Sequence, residues 1–330
     1  MPAISILLPT YNGAQFLEEQ LDSILAQSFE DFELVSIDDG SNDASAEILR
    51  AYADRDSRVR VLASDGNKGQ KTRLKELLAE ASTPLIAISD QDDIWGPQKL
   101  ERLYENLDGC SLAFGPSHLI DGAGDPLGKT LMEALNVAHH GDDRVAILRS
   151  SRVSAHAMLC RREIIDEELF SSKLAFDWVI SLIAAFSDGV RYVPDADTFH
   201  RLHGGNAHNG GVLKMLRPWT ITLGDIERRI TRFKAKRGDL IEQFDQMAAA
   251  SALAPEIRST FARCAALCRE NWGDAAMSYG GEARDTFLAL RELLLPLAGS
   301  ERDWEHFEVH LWPICLGLPR QASYVLSPPN

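Results

Sequence analysis

The sequence predicts an α/β protein in which a mostly parallel sheet is flanked by helices and followed by a helical C-terminal region. Three observations carry this prediction. Apolar runs typical of buried strands alternate with segments of helical spacing through the first hundred residues. Polar and acidic clusters follow several of these runs, where the strands of such a sheet would end. Beyond residue 212, the strand pattern stops and helical spacing dominates.

The predicted strands and helices of the N-terminal part come in the order that βαβ units require. The strands are predicted at Ile4 to Leu8, Glu33 to Ile37, Arg58 to Ala63 and Leu85 to Ser89. The intervening helices are predicted from Phe16 to Leu25, from a cap at Asn42 or Asp43 to Tyr52, and from Gly69 to Ala81. Such units favour a parallel sheet with ligands at the carboxyl ends of its strands.

The pattern is less regular from residue 111 onward. A hairpin is predicted through Asp121 to Pro126, a strand from Val153 to Cys160, and a helix from Ala175 to Phe186. The segment from His200 to Gly211, rich in Gly, His and Asn, is typical of a loop. We therefore expect an α/β domain over residues 1–210 and a helical C-terminal region over 211–330.

Composition limits the classes of partner. The 330 residues include 45% hydrophobic residues, a value typical of a globular protein. Lys and Arg number 34 against 49 Asp and Glu, which gives a formal net charge of −15. Because such a charge repels phosphate backbones at long range, we expect no nucleic-acid partner.

The five cysteines are odd in number and scattered, so they match neither a disulfide framework nor a metal cage. This favours a reducing cytoplasm. The first residues enter a strand without a basic segment, so we expect no signal peptide. No uncharged apolar stretch reaches the roughly 18 residues typical of a membrane span.

The loops after the predicted strands carry the candidate chemistry. The first loop lacks the glycine patterns of dinucleotide-binding and P-loop proteins, which disfavours both classes. Instead, the loops hold Thr10-Tyr11-Asn12, Asp38-Asp39 and Asp90-Gln91-Asp92-Asp93. Carboxylates gathered at one sheet edge suit Mg²⁺ or Mn²⁺, although an acidic loop is also typical of plain solvated surface.

Several motifs together resemble those of glycosyltransferase family 2. In order along the chain they are Ile6–Asn12, Ile37–Ser41, Asn67–Gly69 and Ser89–Trp95. The Asp-Gln-Asp-Asp-Ile-Trp sequence is similar to that of a bacterial rhamnosyltransferase-like branch, as are Phe176-Asp177-Trp178 and His200 to Asn206. The resemblance covers about residues 3 to 210 and does not reach the C-terminal third.

The resemblance implies a GT-A fold and an inverting transfer from a nucleotide-diphosphate sugar, linked to UDP or dTDP. The donor-binding residues that it implies are Pro9, Thr10, Tyr11, Asn12, Asp39, Gly69, Asp90 and Gln91. The ligands that it implies for Mn²⁺ or Mg²⁺ are Asp90, Asp92, Asp93 and His203. Asp177 would be the catalytic base. The acceptor would meet Trp95, His156, Trp178 and Arg201.

Simpler interpretations remain open for some of these residues. Asp38 to Ser41 also fits a polar turn that caps a helix. His203 also fits a solvent-facing loop histidine, and Asp177 also fits a carboxylate that stabilises a helix N-terminus. Trp95 and Trp178 fit the core as well as a sugar-stacking role.

Three positions depart from the branch. Ala155 stands where a glycine is usual, His200 where a tyrosine is usual, and Arg73 where related chains show a small amide residue. These departures weaken the assignment of the sugar donor more than they weaken the assignment of the reaction class.

The resemblance implies transfer of rhamnose or another hexose to a hydroxyl of a glycan or lipid-linked acceptor in surface polysaccharide synthesis. One alternative is a nucleotidyltransferase, although Pro9 to Gln15 lacks the basic residues that a triphosphate site needs. A second alternative is a degenerate family member that acts as a binding subunit.

One segment has a net positive charge although the chain as a whole is acidic. Residues 213–237 hold eight basic residues and two acidic ones, interleaved with apolar side chains. This pattern predicts peripheral contact with the inner face of the cytoplasmic membrane. The alternative is a solvated face on a helix packed against the catalytic domain.

Overall fold

The computed structural model describes residues 2–134, 147, 153–165, 170, 175–204, 238–272 and 281–297. The chain divides into two compact units. The first comprises Met1–Gly141, Arg152–Ile180 and Asp188–Pro218, and the second comprises Asp142–Ser151, Ser181–Ser187 and Trp219–Asn330. The predicted boundary at residue 210 and the basic segment 213–237 lie outside the described residues.

Eleven strands and eight helices have bounds within the described ranges. The strands are β1 (Ile4–Thr10), β2 (Phe32–Asp38), β3 (Val59–Val61), β4 (Leu85–Ile88), β5 (Ile94–Trp95), β6 (Leu112–Phe114), β7 (Ser117–Ile120), β8 (Pro126–Thr130), β9 (Met158–Arg161), β10 (Val190–Tyr192) and β11 (Thr198–Arg201). The helices are α1 (Leu17–Leu25), α2 (Ser45–Arg55), α3 (Gln70–Glu80), α4 (Lys99–Glu105), α5 (Leu131–Ala134), α6 (Phe176–Phe186), α7 (Pro255–Trp272) and α8 (Gly281–Leu294).

The larger sheet has seven strands in the spatial order β10, β6, β9, β4, β1, β2, β3. The four strands β1 to β4 are mutually parallel, as the alternation of strands and helices predicts. All seven residues of β1 are buried. A strand covered on both faces is mostly apolar, which explains the apolar run from Ile4 to Leu8. The buried Ser5 within this run donates a hydrogen bond to Glu33 Oε1 at 2.6 Å.

The predicted strand from Val153 to Cys160 is partly wrong. Residues Ala155–Ala157 form a 3₁₀ turn, and β9 begins only at Met158. This strand runs antiparallel to both of its neighbours, β4 and β6. The mostly parallel sheet therefore contains one reversed strand, and the turn before it brings His156 to the sheet.

A smaller sheet has the order β5, β11, β7, β8. The predicted hairpin is confirmed, because β7 and β8 pair antiparallel across the turn at Asp121 to Pro126. One Asp121 carboxylate oxygen accepts hydrogen bonds from the backbone N–H groups of Ala123 and Asp125, which fixes the turn. Strand β5 directly follows the acidic loop, and β11 pairs with β5 on one side and with β7 on the other. The smaller sheet therefore places the acidic loop beside β11.

The N-cap residue of α2 is Ala44, which makes no side-chain capping hydrogen bond, so the predicted cap at Asn42 or Asp43 is wrong. Asp43 lies one residue before the N-cap. Its Oδ1 accepts hydrogen bonds from the Ser45 backbone N–H at 3.0 Å and the Ser45 hydroxyl at 2.5 Å. The backbone N–H of Asn42 instead donates to Asn12 Oδ1 at 2.9 Å. The start of α2 is thereby tied to the loop after β1.

The described part of the second unit contains helices and no strand. Residues 238–249 are helical and precede α7 and α8. Cys264 and Cys268, four residues apart in α7, are both fully buried and pack as small core residues. Among the described residues, no helix is long and apolar enough to cross a membrane.

Tyr52 on α2 is expected to give the fold a pH dependence at alkaline pH. Burial and the hydrogen bond that Tyr52 donates to Asp22 Oδ1 at 2.6 Å raise the Tyr52 pKa from 10.0 to about 12. The contribution of the neutral phenol to stability is therefore complete below pH 10 and is lost as the pH rises from 10 to about 12.

The measurement is the free energy of urea unfolding from pH 9 to pH 12 for wild type and Tyr52→Phe. We expect the difference between the two proteins to shrink over that range. A difference that stays constant would show that Tyr52 titrates normally in the folded state.

Candidate functional site

The loop after β1 is joined to the loop after β2. The Asn12 backbone N–H donates to Ser41 Oγ at 2.8 Å, and the Gly13 N–H donates to Ser45 Oγ at 2.9 Å. Asn12 has a φ of 47°, in the left-handed region that asparagine tolerates better than most residues. Thr10 is buried, whereas the Tyr11 side chain is 45% exposed at the sheet edge.

Gln91 connects the loop after β1 to the acidic loop. Its Oε1 accepts from the Tyr11 N–H at 2.7 Å, and its Nε2 donates to the Tyr11 carbonyl at 2.9 Å. A Cβ at Gly13 would lie 2.6 Å from Gln91 Cδ, so glycine there permits the close approach. The structure thus brings the predicted donor residues Tyr11, Asn12 and Gln91 together.

The two aspartates after β2 have different surroundings. Asp38 Oδ2 accepts from the backbone N–H groups of Gly40 and Ser41, which is the polar-turn role considered for this motif. Asp39 instead reaches the third loop: its two oxygens accept from the N–H groups of Lys68 at 2.7 Å and Gly69 at 2.8 Å. Asp39 therefore holds the predicted donor residue Gly69 in place.

Arg73 completes the surroundings of Asp39. Its Nε donates to Asp39 Oδ1 at 2.7 Å, and the two side chains are 1% and 5% exposed. The same guanidinium binds Glu76 at 2.5 Å, Asp65 at 3.1 Å and the carbonyl of Gly66. This departure from the branch fixes the third loop to the second through a buried ion pair.

The three carboxylates of the acidic loop are buried to different extents. Their side chains are 28% exposed in Asp90, 12% in Asp92 and 0% in Asp93. Asp92 Oδ2 lies 2.8 Å from Nε2 of His203. Burial and the neighbouring charges of Asp93 and Asp90 raise the pKa of Asp92. Such crowding of like charge favours a bound cation.

Asp93 faces inward, toward two histidines. Its Oδ1 lies 2.9 Å from His200 Nδ1, and its Oδ2 lies 3.5 Å from His156 Nδ1. Burial opposes ionisation, but the two imidazoles outweigh it and lower the Asp93 pKa. Burial likewise opposes protonation of His200, yet Asp93 raises the His200 pKa to about 9. Ligand atoms of Asp93, His156 and His200 lie within 4.8 Å of one another, so these groups are also a candidate metal site.

Two buried basic side chains lie beside the loop, and burial lowers the pKa of one of them, Lys99, well below its usual value. Lys99 Nζ lies 3.6 Å from the centre of the Trp95 ring and donates to the His156 carbonyl. Arg201 Nε donates to the Asp92 carbonyl at 3.0 Å, and its Nη2 binds Glu19 at 2.6 Å. The Arg201 contact fixes the backbone of the acidic loop, and the Lys99 contact fixes the backbone at His156.

The predicted acceptor residues divide into two groups. Trp95, His156 and Arg201 are 2%, 4% and 1% exposed, respectively, and so lie beneath the surface. Trp178 is half-buried at the start of α6, beside Asp177. Asp177 Oδ1 accepts from the Trp178 N–H at 2.7 Å. This contact is local to α6, and the base and acceptor roles stay predictions.

Four residues of the site have contacts that the sequence does not predict: Lys99, Ser117, His200 and Arg73. A signal existed for Lys99, since helical spacing puts it on the same face as Leu103, where a lysine is unusual. Ser117 contacts His156, which is 39 residues away in the chain, and no local pattern indicates that pairing.

The site has the donors that a divalent metal needs. Carboxylate oxygens with one imidazole suit Mn²⁺ or Mg²⁺. Asp93 Oδ2 is buried and accepts no hydrogen bond. Among the described residues, the predicted ligands Asp90, Asp92, Asp93 and His203 all belong to or contact the same loop.

Comparisons with known proteins agree with this architecture. The sequence profile of the family described as Glycosyl transferase family 2 matches residues 5–169. TuaG of Bacillus subtilis, named for teichuronic acid biosynthesis, is 32% identical over 130 residues, which are 39% of this chain and 52% of TuaG. The glycosyltransferase GlyG of Streptococcus pneumoniae is 38% identical over 105 residues, which are 32% of this chain and 35% of GlyG.

Among solved structures, S. aureus TarS residues 1–349 in complex with UDP-GlcNAc matches with a TM-score of 0.52 at 16% identity. The match covers 98% of this chain and 88% of that one, and it bears on the fold alone. The chain spans only part of the length of the curated relatives, 52% of TuaG and 35% of GlyG. The family profile covers half of the chain, and the strand order, the acidic loop and the TarS likeness agree with it: the chain belongs to glycosyl transferase family 2 and has a GT-A fold.

Proposed function

We propose that the protein is an inverting, metal-dependent glycosyltransferase that moves a sugar from a nucleotide diphosphate to a hydroxyl of a glycan or lipid-linked acceptor. One observation carries the proposal. The loops after β1, β2 and β4, together with the Lys68–Gly69 segment before α3, meet at one sheet edge through direct contacts of Asn12, Asp39 and Gln91. Ligands of open α/β sheets bind at this edge.

The donor is proposed to be a sugar linked to UDP or dTDP. The TarS structure carries UDP-GlcNAc, which supports a uridine nucleotide as the first candidate. Pro9 to Asn12, Asp39 and Gly69 would hold the base and ribose, and Asp90 and Gln91 would lie toward the diphosphate. Rhamnose and other hexoses are the proposed sugars. TuaG, named for teichuronic acid biosynthesis, supports a role in surface polysaccharide synthesis.

The metal is proposed to be Mn²⁺ or Mg²⁺, held among Asp90, Asp92, Asp93 and His203. When bound, the ion would neutralise the charge that develops on the leaving diphosphate. The contact between Asp92 and His203 supports this assignment because their side chains, 12% and 22% exposed, lie nearer the surface than that of Asp93. Arg201 would keep the acidic loop in one conformation through its hydrogen bond to the Asp92 carbonyl.

Asp177 is proposed as the base. An inverting displacement requires the acceptor hydroxyl to lose its proton while it attacks the anomeric carbon opposite the diphosphate. A carboxylate at the start of α6 suits this step, and the half-buried Trp178 beside it would pack against the acceptor sugar.

The proposed organisation is a catalytic domain over residues 1–210 with a helical region over 211–330. The protein would work in the cytoplasm without a nucleic-acid partner, and residues 213–237 would rest on the inner membrane surface. A lipid-linked acceptor fits that placement.

The test combines binding and turnover. With Mn²⁺ present, we expect UDP or dTDP to raise the melting temperature of the protein. We expect turnover of the matching sugar nucleotide to release UDP or dTDP. Excess EDTA should suppress both effects, and added Mn²⁺ should restore them. GDP and the nucleoside triphosphates serve as comparisons. Pyrophosphate release from a triphosphate would favour a nucleotidyltransferase, and the absence of any binding or turnover would contradict the proposal.

A further inference from the structure

We propose that His156 is a positioning residue that fixes the carboxylate of Asp90 by linking it to Ser117. This inference rests on the proposed function, in which Asp90 binds the donor and the metal. It gives His156 a role different from the acceptor contact that the sequence resemblance implies.

The three side chains form a continuous chain of contacts. His156 Nδ1 lies 3.2 Å from Asp90 Oδ2, and His156 Nε2 lies 2.9 Å from Ser117 Oγ. The His156 ring is 5% exposed, so a sugar at the surface has little access to it. Both ring nitrogens are engaged by the protein.

The direction of the hydrogen bond to Asp90 follows from the surroundings. Nδ1 faces the carboxylates of Asp90 and Asp93, which only accept hydrogen bonds when ionised, so Nδ1 carries a proton. In the neutral ring, Nε2 then accepts from the Ser117 hydroxyl. In the charged ring, Nε2 donates to the same oxygen. The contact with Asp90 therefore has the same direction in either state.

The His156 ring is held by the two sheets and by its neighbours. Its backbone lies in the 3₁₀ turn before β9, and its carbonyl accepts from Lys99 Nζ. Its ring stacks on that of His200, with centres 4.6 Å apart and planes 11° apart. Ser117 is the first residue of β7, between β11 and β8. A donor fixed in this way can set the rotation of a neighbouring carboxylate.

Asp90 is the carboxylate that the His156 N–H group orients. It is the most exposed of the three, at 28%, and its Oδ1 faces Gln70 Nε2 across 3.4 Å. With Oδ2 held by His156, the carboxylate presents a defined edge toward the ligand. Partners of this kind around a metal site affect metal affinity or activity by about 10- to 100-fold.

Two substitutions separate this role from simple packing. In His156→Asn, the amide nitrogen replaces Nδ1 and keeps a donor toward Asp90. In His156→Gln, the amide nitrogen replaces Nε2 and keeps only the contact toward Ser117. Asparagine is one methylene shorter than glutamine and leaves the larger void, so packing alone predicts the larger loss of melting temperature in His156→Asn. His118→Gln is the matched control, because His118 follows Ser117 on β7, is 41% exposed and pairs with Asp197.

The readouts are Mn²⁺ affinity, measured with the metal alone by electron paramagnetic resonance, and kcat and KM for the UDP-sugar. We expect His156→Gln to weaken Mn²⁺ binding about 10-fold or more and to raise the donor KM. His156→Asn should stay within about threefold of wild type, and His118→Gln should match wild type.

Equal losses of Mn²⁺ affinity in the Asn and Gln variants, or losses that track melting temperature alone, would overturn the positioning role. Complete loss of Mn²⁺ binding in both variants would identify His156 as a metal ligand, and this result would also overturn the positioning role. A wild type that binds neither Mn²⁺ nor UDP would refute the proposed function itself, so the two failures are distinguishable.

Discussion

Replacing Asp177 with asparagine is expected to lower sugar transfer by about 10²- to 10⁴-fold, the usual contribution of a general base. The amide oxygen can still accept the hydrogen bond from the Trp178 N–H, so the start of α6 should keep its structure. An amide cannot take the proton of the acceptor hydroxyl. The measurement is the single-turnover transfer rate, together with UDP binding, which should stay near the wild-type value.

Glu256→Gln is the matched control for Asp177→Asn. Glu256 is an acidic residue in the first turn of α7, so this change also removes a carboxylate near a helix N-terminus. A carboxylate in that position is worth about 0.3 to 1 kcal/mol to the helix. If transfer survives in Asp177→Asn, or if both variants lose only stability, then Asp177 merely stabilises its helix and the base lies elsewhere.

Replacing Arg73 with methionine is expected to destabilise the protein by about 3 to 5 kcal/mol, the usual effect of removing one partner of a buried ion pair. Methionine keeps much of the aliphatic packing but leaves the nearly buried Asp39 without its cation. The segment that contains Lys68 and Gly69 would loosen with it, so UDP should also bind more weakly. The measurements are urea unfolding and a UDP titration.

Arg60→Met is the control for Arg73→Met. Arg60 also pairs with glutamates, but it is 40% exposed, and a pair of this kind contributes at most about 1 kcal/mol. Similar losses of stability in the two variants would contradict a special role for the Arg73 and Asp39 pair. A stable Arg73→Met with unchanged UDP affinity would contradict it as well.

The sequence predicts much of the sheet because its signals are local. Strands β1, β2 and β4 are apolar runs followed by polar loops, and the parallel arrangement follows from the helices between them. The reversal of β9 could not be predicted, because a short apolar run gives no information about strand direction. The hairpin at Asp121 to Pro126 could be predicted, since its turn residues are adjacent in the chain.

The site divides in the same way. The acidic loop and the motif with Asp39 are contiguous in sequence, and the family resemblance identifies them. The surroundings of Asp93 are not contiguous: His200 lies 107 residues away, and the Asp90 to His156 contact spans 66 residues. Only the folded chain shows that Asp93 faces inward while Asp92 and His203 lie nearer the surface.

The pairing of Gln91 with the backbone of Tyr11 has a mechanical consequence. Two hydrogen bonds and the absence of a Cβ at Gly13 join the loop proposed for the nucleoside to the loop proposed for the diphosphate. The two loops are therefore joined to each other at this point. A nucleotide whose base is bound by the first loop would find the second loop already positioned for its diphosphate. Recognition of the base would therefore also align the leaving group.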